Sequence, residues 1–147
     1  MNETAPIEIL LVEDDPSHAE ISRRNLSVEG VPPNRLVHVA DGQQALDYLF
    51  GEGSYTKTPP KPNIILLDLR LPRVDGLGVL RRIKASDTLK KIPVVVLTTS
   101  AISEDINSAY EAGASSYLVK PIDFTAFLRL MENFRDYWLS WNRYPND

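Results

Sequence analysis

The sequence contains no cysteine, no long apolar run and no extended cluster of basic residues. Without cysteine the chain has neither disulfide bonds nor thiolate metal ligands, which suits a reducing cytoplasm. No segment approaches the roughly 18 apolar residues of a membrane-spanning helix, and the first six residues lack the features of a signal peptide. Lys and Arg number 16 against 20 Asp and Glu, so we expect no membrane partner and no direct binding of nucleic acid.

Short apolar runs alternate along the chain with amphipathic segments. The first, third and fourth runs are apolar throughout, as in parallel strands that are covered on both faces. The alternation predicts an α/β fold with right-handed crossovers and a mostly parallel sheet. The predicted strands are 7–12, 36–40, 63–67, 93–98 and 116–119, and the predicted helices are 17–29, 42–50, 76–85, 103–112 and 123–141.

Several polar residues are interpreted as helix caps. Asp41 and Ser103 are expected to be the N-caps of the second and fourth predicted helices, and Asp123 and Thr125 open the last one. Asp15 precedes a proline, so we interpret it first as an N-cap and only second as a ligand. Asp75, followed by glycine, is expected to form a turn and the start of a helix.

Acids, a hydroxyl and a lysine follow the predicted strands at their carboxyl ends. Ligands of an open parallel sheet bind beyond that edge, and there the chain places Glu13, Asp14, Asp68, Thr98 and Lys120. Clustered carboxylates require a neutralising cation, and oxygen ligands at an open edge favour Mg²⁺. Asp68 is then a candidate nucleophile for phosphoryl transfer, with the lysine and the threonine as donors to the transferred group. Taken alone, Asp68 could equally cap a turn.

Four segments, LLVEDDP, ILLDLRLPRVDG, VVVLTTS and GASSYLVKP, resemble in order and spacing the signature segments of the response-regulator receiver domain. The resemblance implies a flavodoxin-like (βα)5 fold, a doubly wound five-stranded parallel sheet in the order 2-1-3-4-5. We expect one receiver domain over residues 1–147, with a core of about 7–141 and no output domain. It would accept a phosphoryl group from a sensor histidine kinase in a two-component phosphorelay, and would assist its own phosphorylation and dephosphorylation without being an enzyme.

The resemblance also implies roles for the residues of the site. Asp68 matches the phosphoacceptor. Asp14 would bind Mg²⁺ directly, Glu13 would bind it through water, and Arg70 would contribute its backbone carbonyl. Many members of the family have Asp where this chain has Glu13. The Arg70 side chain, two positions beyond Asp68, would either shield the phosphoryl group or pair with it.

The remaining implied roles concern signal output. Lys120 matches the lysine that pairs with the phosphoryl group, Thr98 the switch hydroxyl and Tyr117 the switch aromatic. Phosphorylation would reorganise the face formed by the fourth helix, the fifth strand and the fifth helix. The peptide bond between Lys120 and Pro121 is expected to be cis, as is usual in the family.

A narrower resemblance concerns the loop at 51–63 and the segment ENFRDYWLSWNRYP. Both are similar to the small stand-alone receivers that partner bacterial and cyanobacterial phytochrome kinases. The last predicted helix, about 18 residues or roughly 27 Å long, should project beyond strands of about 17 to 20 Å. We therefore predict a homodimer through Phe134, Tyr137, Trp138 and Trp141. In the alternative, the tail folds back over the loop at 51–63.

Two other classes of function stay open. An aspartyl-nucleophile phosphohydrolase would need a general acid and a substrate pocket, and the chain offers no candidate acid beyond the cluster. A receiver-like binding module that is not phosphorylated would have no physical reason to keep clustered acids. His18 and His38 lack a companion at metal-ligand spacing and receive no role.

Overall fold

The computed structural model describes residues 6–27, 33–55 and 60–145, in which five parallel strands form one sheet in the order 2-1-3-4-5. The strands are β1 (Ile7–Val12), β2 (Asn34–Val39), β3 (Ile64–Leu67), β4 (Val94–Thr98) and β5 (Ser116–Val119). The helices are α1 (Pro16–Leu26), α2 (Gly42–Phe50), α3 (Gly76–Lys84), α4 (Ser103–Glu111) and α5 (Phe124–Arg135). The predicted fold class and strand order are confirmed.

Successive residues of the central strands bury their side chains on opposite faces of the sheet. In β1, Leu10 and Val12 pack in the core beneath α2 and α3, whereas Ile9 and Leu11 pack in the core beneath α1 and α5. Alternate side chains of a strand point to opposite faces, so a strand covered on both faces must be apolar throughout. This arrangement explains why residues 9–12 of β1, all of β3 and residues 94–97 of β4 are apolar, and why Glu8 and Thr98 lie near the ends of their strands.

The caps predicted at Asp15 and Asp41 are confirmed. Their carboxylates accept hydrogen bonds from backbone N–H groups in the first turns of α1 and α2, and the carboxylate of Asp123, which was predicted only to open the last helix, does the same for α5. The prediction for Ser103 is wrong. Ile102 occupies the N-cap position of α4 without a side-chain hydrogen bond, and Ser103 is the first helical residue, because the backbone at Ile102 is still extended.

The turn at Asp75 brings α3 against the end of β3. Asp75 caps the helix by accepting a hydrogen bond from Gly78 N, as expected. The Gly76 N–H donates to Leu69 O at 2.9 Å, and a Cβ at Gly76 would lie 2.2 Å from Asp68 O. Glycine is therefore required at this position so that the helix can approach the backbone that carries Asp68.

The last helix continues past Arg135 as a π-helical segment, Asp136–Trp141. Its wider turn, with Asn142 N donating to Tyr137 O, changes which side chains face the core. Leu139 is buried there, although the sequence predicted no role for it. Phe134 was predicted at a dimer interface, but it is only 3 % exposed and packs in the core of its own protomer.

Two predicted features fall on residues that the structure does not describe, and one predicted peptide geometry differs from the structure. The predicted end of the first helix, at 29, and the middle of the loop, at 56–59, lie outside the described residues. No peptide bond in the described residues is cis, so the expectation for Lys120–Pro121 is wrong, and this bond has the trans form that X–Pro bonds favour by about 0.5–1 kcal/mol. Among the described helices, none has both the length and the apolar character needed to cross a bilayer.

Candidate functional site

The carboxyl ends of β1 and β3 bring three acids together. One oxygen from each of Glu13, Asp14 and Asp68 lies within 4.8 Å of the others. Asp14 is exposed, whereas Glu13 and Asp68 are buried. Because β1 and β3 are neighbouring parallel strands that end in register at Val12 and Leu67, their next residues must share one edge of the sheet.

Lys120, which directly follows β5, neutralises part of this cluster. Its side chain is 2 % exposed, and its ammonium donates to Glu13 Oε1 at 2.5 Å and to Asp68 Oδ2 at 3.1 Å. A buried lysine keeps its charge only where such partners surround it. The sequence placed these three residues at one edge of the sheet, and the structure brings them into direct contact.

Asp68, the residue after β3, forms hydrogen bonds with the backbone of β1 and with the backbone of the loop that follows it. Its N–H donates to Val12 O at 3.1 Å, which extends the pairing of β3 with β1 by one residue. Its Oδ1 accepts a hydrogen bond from Arg70 N at 3.2 Å, while Oδ2 faces Lys120. Both carboxylate oxygens of Asp68 therefore have fixed directions.

Glu13 is the acid whose electrostatics are most altered. Burial raises the pKa of Glu13 from an ordinary value of 4.5 to about 7, against the opposing effect of its hydrogen bond with Lys120. Oε1 accepts from Lys120 and Oε2 accepts from Asp15 N at 3.1 Å. Both oxygens of Glu13 are thus already engaged by the protein.

Thr98 ends β4 beside this cluster. Its hydroxyl is buried and has no hydrogen-bond partner within the described part of the chain. Its carbonyl accepts a hydrogen bond from Lys120 N at 2.7 Å, which ties the end of β4 to the residue after β5. A buried hydroxyl without a partner is costly, so Thr98 is suited to donate to a group that joins the site later.

A second set of polar contacts links the site to α4. Tyr117 OH donates to Ser100 O at 2.9 Å, and Ser100 Oγ donates to Asp105 Oδ2 at 2.5 Å. Arg70 reaches the same oxygen of Asp105 at 2.7 Å. No role was predicted for Ser100 or Asp105 from the sequence, although the hydroxyls in VVVLTTS and the acids in the first turn of α4 could have suggested one.

Both histidines, to which the sequence analysis gave no role, lie beside the cluster. His18 Nδ1 is 3.0 Å from Lys120 Nζ. His38 Nε2 is 2.7 Å from the carbonyl oxygen of Glu13, which can only accept, so His38 donates there. Neither contact could be foreseen from sequence spacing, because each joins residues from different elements of the fold.

The donor set suits a hard divalent cation. Three carboxylates gathered at an open edge present oxygen atoms only, the ligands that Mg²⁺ and Mn²⁺ prefer. One of the acids is exposed, so the site is accessible to a hydrated ion. The residues therefore fit the metal that the resemblance implies.

The family model of the response regulator receiver domain matches residues 9–132. The chain belongs to the response regulator receiver family. Residues 9–132 contain the acid cluster together with Thr98, Tyr117 and Lys120. The resemblance inferred from the four signature segments is confirmed, and with it the role of a receiver in two-component signalling.

Two curated relatives are similar over nearly their whole length. The probable methanogenesis regulatory protein FilR2 of Methanothrix harundinacea is 46 % identical over 141 residues, which is 95 % of this chain and 88 % of the relative. Response regulator Rcp1 of Synechocystis is 37 % identical over 134 residues, which is 91 % of this chain and 90 % of the relative. Both relatives therefore have the size of a receiver with little added to it.

Two solved structures have nearly the same fold. The Mn²⁺-bound form of Rcp1 aligns with a TM-score of 0.91 at 36 % identity, covering 96 % of this chain and 100 % of that one. The phosphorylated cyanobacterial phytochrome response regulator RcpA aligns with a TM-score of 0.91 at 37 % identity, covering 97 % and 100 %. The similarity to stand-alone phytochrome response regulators is thereby confirmed.

Proposed function

We propose that Asp68 is the residue that accepts the phosphoryl group, from a phosphohistidine of a sensor kinase. The observation that carries this proposal is the placement of a buried, strand-end carboxylate in hydrogen-bond contact with Lys120 and within one cluster with two further acids. An oxygen of Asp68 attacks phosphorus as the phosphorus–nitrogen bond to the histidine breaks. The product is an acyl phosphate on Asp68 and a free imidazole on the kinase, which takes up a proton.

Lys120 and Thr98 stabilise the transferred group. The Lys120 ammonium already faces Asp68 Oδ2, so it needs only a small movement to donate to a phosphoryl oxygen. The buried, unpartnered hydroxyl of Thr98 gains an acceptor by the same step. Donors placed in advance around developing charge are the main source of catalysis in phosphoryl transfer.

We propose that Glu13, Asp14, Asp68 and the backbone carbonyl of Arg70 hold Mg²⁺. Asp14, which is exposed, is the direct ligand from the first strand. Both oxygens of Glu13 are engaged by Lys120 and by Asp15 N, which favours contact with the ion through water. When bound, Mg²⁺ screens the repulsion between the anionic carboxylate and the anionic phosphoryl group.

Output would pass through Thr98 and Tyr117 to the face of α4, β5 and α5. When the Thr98 hydroxyl turns towards the phosphoryl group, the backbone of the following loop moves with it, and Tyr117 is tied to that loop at Ser100 O. Large apolar side chains in or directly before these elements are exposed, namely Ile102, Tyr110, Val119, Ile122 and Phe124. Phosphorylation then shifts the population between two states of a surface that can bind a partner.

The partner that supplies the phosphoryl group is proposed to be a phytochrome-type histidine kinase. The similarity to Rcp1 and to the phytochrome response regulator RcpA supports this proposal. The alternative is a kinase of another signalling system, because the chain is also similar to FilR2, a probable methanogenesis regulatory protein. Phosphotransfer from a purified, autophosphorylated kinase of each kind would decide between them. The specific kinase should label the protein within seconds to minutes, and the other should label it far more slowly.

We further propose that residues 1–147 act as one receiver domain, with its core at about 7–141, in the cytoplasm. It would catalyse only its own phosphorylation and dephosphorylation, and its output would be a protein contact and not DNA binding. Among the described residues, a cavity of about 420 Å³ lies by Lys61, Asp87 and Tyr144, and one of about 400 Å³ lies by Leu130 and Tyr137.

The C-terminal segment is proposed to form a homodimer. Tyr137 and Trp141 are 52 % and 78 % exposed, and Trp138 is half-buried beside the cleft lined by Leu118 and Leu130. Aromatic side chains exposed together are typical of protein interfaces. In the alternative, the tail folds back over the loop at 51–63. Tyr144 favours this alternative, because its OH donates to Trp138 O and its side chain lines a cavity with residues 61–63. Trp141 favours the dimer, because it stays exposed.

The experiment that tests the proposed chemistry is intact-mass spectrometry after incubation with acetyl phosphate and Mg²⁺. The wild-type protein should gain one phosphoryl group, and Asp68→Asn should gain none under the same conditions. Chelating the metal should abolish the gain. A wild-type protein that is never labelled would instead indicate a binding module that keeps the receiver fold.

A further inference from the structure

His18 completes the hydrogen bonding of the buried Lys120. An ammonium has three N–H donors and no acceptor. Lys120 Nζ has three partners, Glu13 Oε1 at 2.5 Å, Asp68 Oδ2 at 3.1 Å and His18 Nδ1 at 3.0 Å. Each donor of the lysine therefore has one acceptor, and the imidazole is the only one of the three acceptors without a carboxylate charge.

The direction of this hydrogen bond determines the form of the imidazole. Because the ammonium can only donate, His18 Nδ1 must carry the lone pair, and the ring proton lies on Nε2. Phe127 of α5 packs edge-on against the ring, with the two ring centroids 5.3 Å apart. The backbone N–H of His18 donates to Asp15 Oδ1, which fixes the first turn of α1 from which the side chain projects.

We infer that His18 is a positioning residue for phosphoryl transfer, acting through Lys120. The inference rests on the proposed function, in which Lys120 exchanges its contact with Asp68 for a contact with a phosphoryl oxygen. Glu13 and Asp68 both change their surroundings when metal and phosphoryl group enter, since both belong to the acid cluster. His18 lies outside that cluster and stays bonded to Lys120, so it keeps the ammonium directed at the reacting group.

Two substitutions of nearly identical shape test this inference. Asn and Leu have the same branched outline, but His18→Asn places an amide oxygen close to the position of Nδ1, whereas His18→Leu places a methyl group there. With acetyl phosphate and Mg²⁺, the maximal labelling rate of His18→Leu should fall about 3- to 10-fold, the equivalent of one net hydrogen bond. His18→Asn should stay within about twofold of the wild type, on the same scale.

Two further measurements separate positioning from a general structural effect. In a Lys120→Met background, His18→Leu should cause no additional loss of rate, since there is no ammonium left to hold. The Mg²⁺ affinity, measured by calorimetry, should be the same in wild type, His18→Asn and His18→Leu. Thermal unfolding of each variant checks that it is folded.

The outcomes are distinct. Equal rates for His18→Leu and wild type, equal losses for Asn and Leu, or a full additional loss in the Lys120→Met background would each overturn the role of His18. A wild-type protein that acetyl phosphate does not label would overturn the proposed function itself, and the inference with it.

Discussion

The guanidinium of Arg70 and the carboxylate of Asp105 form an ion pair of 2.7 Å that joins the loop after β3 to the first turn of α4. Arg70 lies two residues beyond Asp68, and Asp105 also accepts a hydrogen bond from Ser100 in the loop after β4. The pair therefore holds the Arg70 side chain at α4. From sequence alone, the same side chain could as well have lain over the phosphoryl group.

Breaking this pair should lengthen the life of the acyl phosphate. In Asp105→Asn the carboxylate charge is lost, so Arg70 is free to pair with the phosphoryl oxygens and to exclude water. We expect hydrolysis to slow by about two- to fivefold, the scale of one exposed ion pair. The measurement is the decay of the phosphoprotein mass after the phosphodonor is removed. Adding Arg70→Met should abolish the gain, and an unchanged decay in Asp105→Asn would show that the pair does not control lifetime.

Gly76→Ala should damage both stability and phosphorylation, because its Cβ would lie 2.2 Å from Asp68 O and 2.6 Å from Leu69 Cα. Relieving that overlap must move the backbone that carries Asp68, at a cost of about 1–3 kcal/mol in unfolding free energy. Urea denaturation and the labelling rate measure the two effects. The matched control is Gly78→Ala in the same helix, whose Cβ would come no closer than 3.2 Å to its neighbours. Equal behaviour of the two variants would contradict the steric argument.

Mg²⁺ binding should weaken as the pH falls below about 7. Burial raises the pKa of Glu13 to about 7, and carboxylates near the ion must be ionised to support it. With one proton taken up, the apparent affinity should fall about tenfold per pH unit below that point. Calorimetric titrations at several pH values give the slope. Glu13→Gln should bind Mg²⁺ more weakly at neutral pH, and its affinity should depend less steeply on pH than that of the wild type. An identical pH dependence in the two proteins would assign the proton to another group.

The same shift predicts how the metal-free protein responds to pH. Between 4.5 and about 7 the folded state keeps a proton on Glu13 that the unfolded chain has released. The unfolding free energy should therefore fall as the pH rises through this window, because raising the pH destabilises whichever state binds more protons, and here that is the folded state. Denaturation in the presence of a chelator measures it. If the difference in unfolding free energy between wild type and Glu13→Gln does not change with pH, the pKa of Glu13 is not raised in the folded protein.

The proposed dimer should dissociate when its exposed aromatic surface becomes charged. Trp141→Lys replaces the most exposed aromatic residue of the surface, at 78 %, and we expect the sedimenting mass to fall to that of a monomer. The control is Tyr110→Lys on α4, an aromatic residue that is 49 % exposed but outside the surface. A monomeric wild type, or a dimer that survives Trp141→Lys, would leave the tail with the role of covering its own protomer.

Much of this protein could be predicted from the order of its residues. The apolar runs of β1, β3 and β4 identify a sheet covered on both faces, and the rule that ligands bind at the carboxyl ends of parallel strands then places Glu13, Asp68 and Lys120 together. This reasoning works because each step depends on local patterns and on one topological rule.

The features that could not be predicted are those set by packing between elements. The contact of His18 with Lys120 joins residues 102 positions apart, and no spacing in the sequence signals it. The π-helical segment likewise has no pattern of its own in the sequence, so the burial of Leu139 was not predicted. Phe134 precedes this segment, and its burial is set by the packing of α5 in the core. Ser103 failed as a cap because the backbone geometry at Ile102 decides where α4 begins.

The central claim, that Asp68 carries the phosphoryl group, is tested most directly by chemical trapping. Borohydride reduces an aspartyl phosphate to homoserine and leaves a free carboxylate unchanged, so peptide mapping after phosphorylation and reduction identifies the modified residue. We predict conversion at Asp68 alone, dependent on both Mg²⁺ and the phosphodonor. Conversion at Glu13, Asp14 or any other acid, or no conversion in protein that has gained a phosphoryl group, would contradict the account.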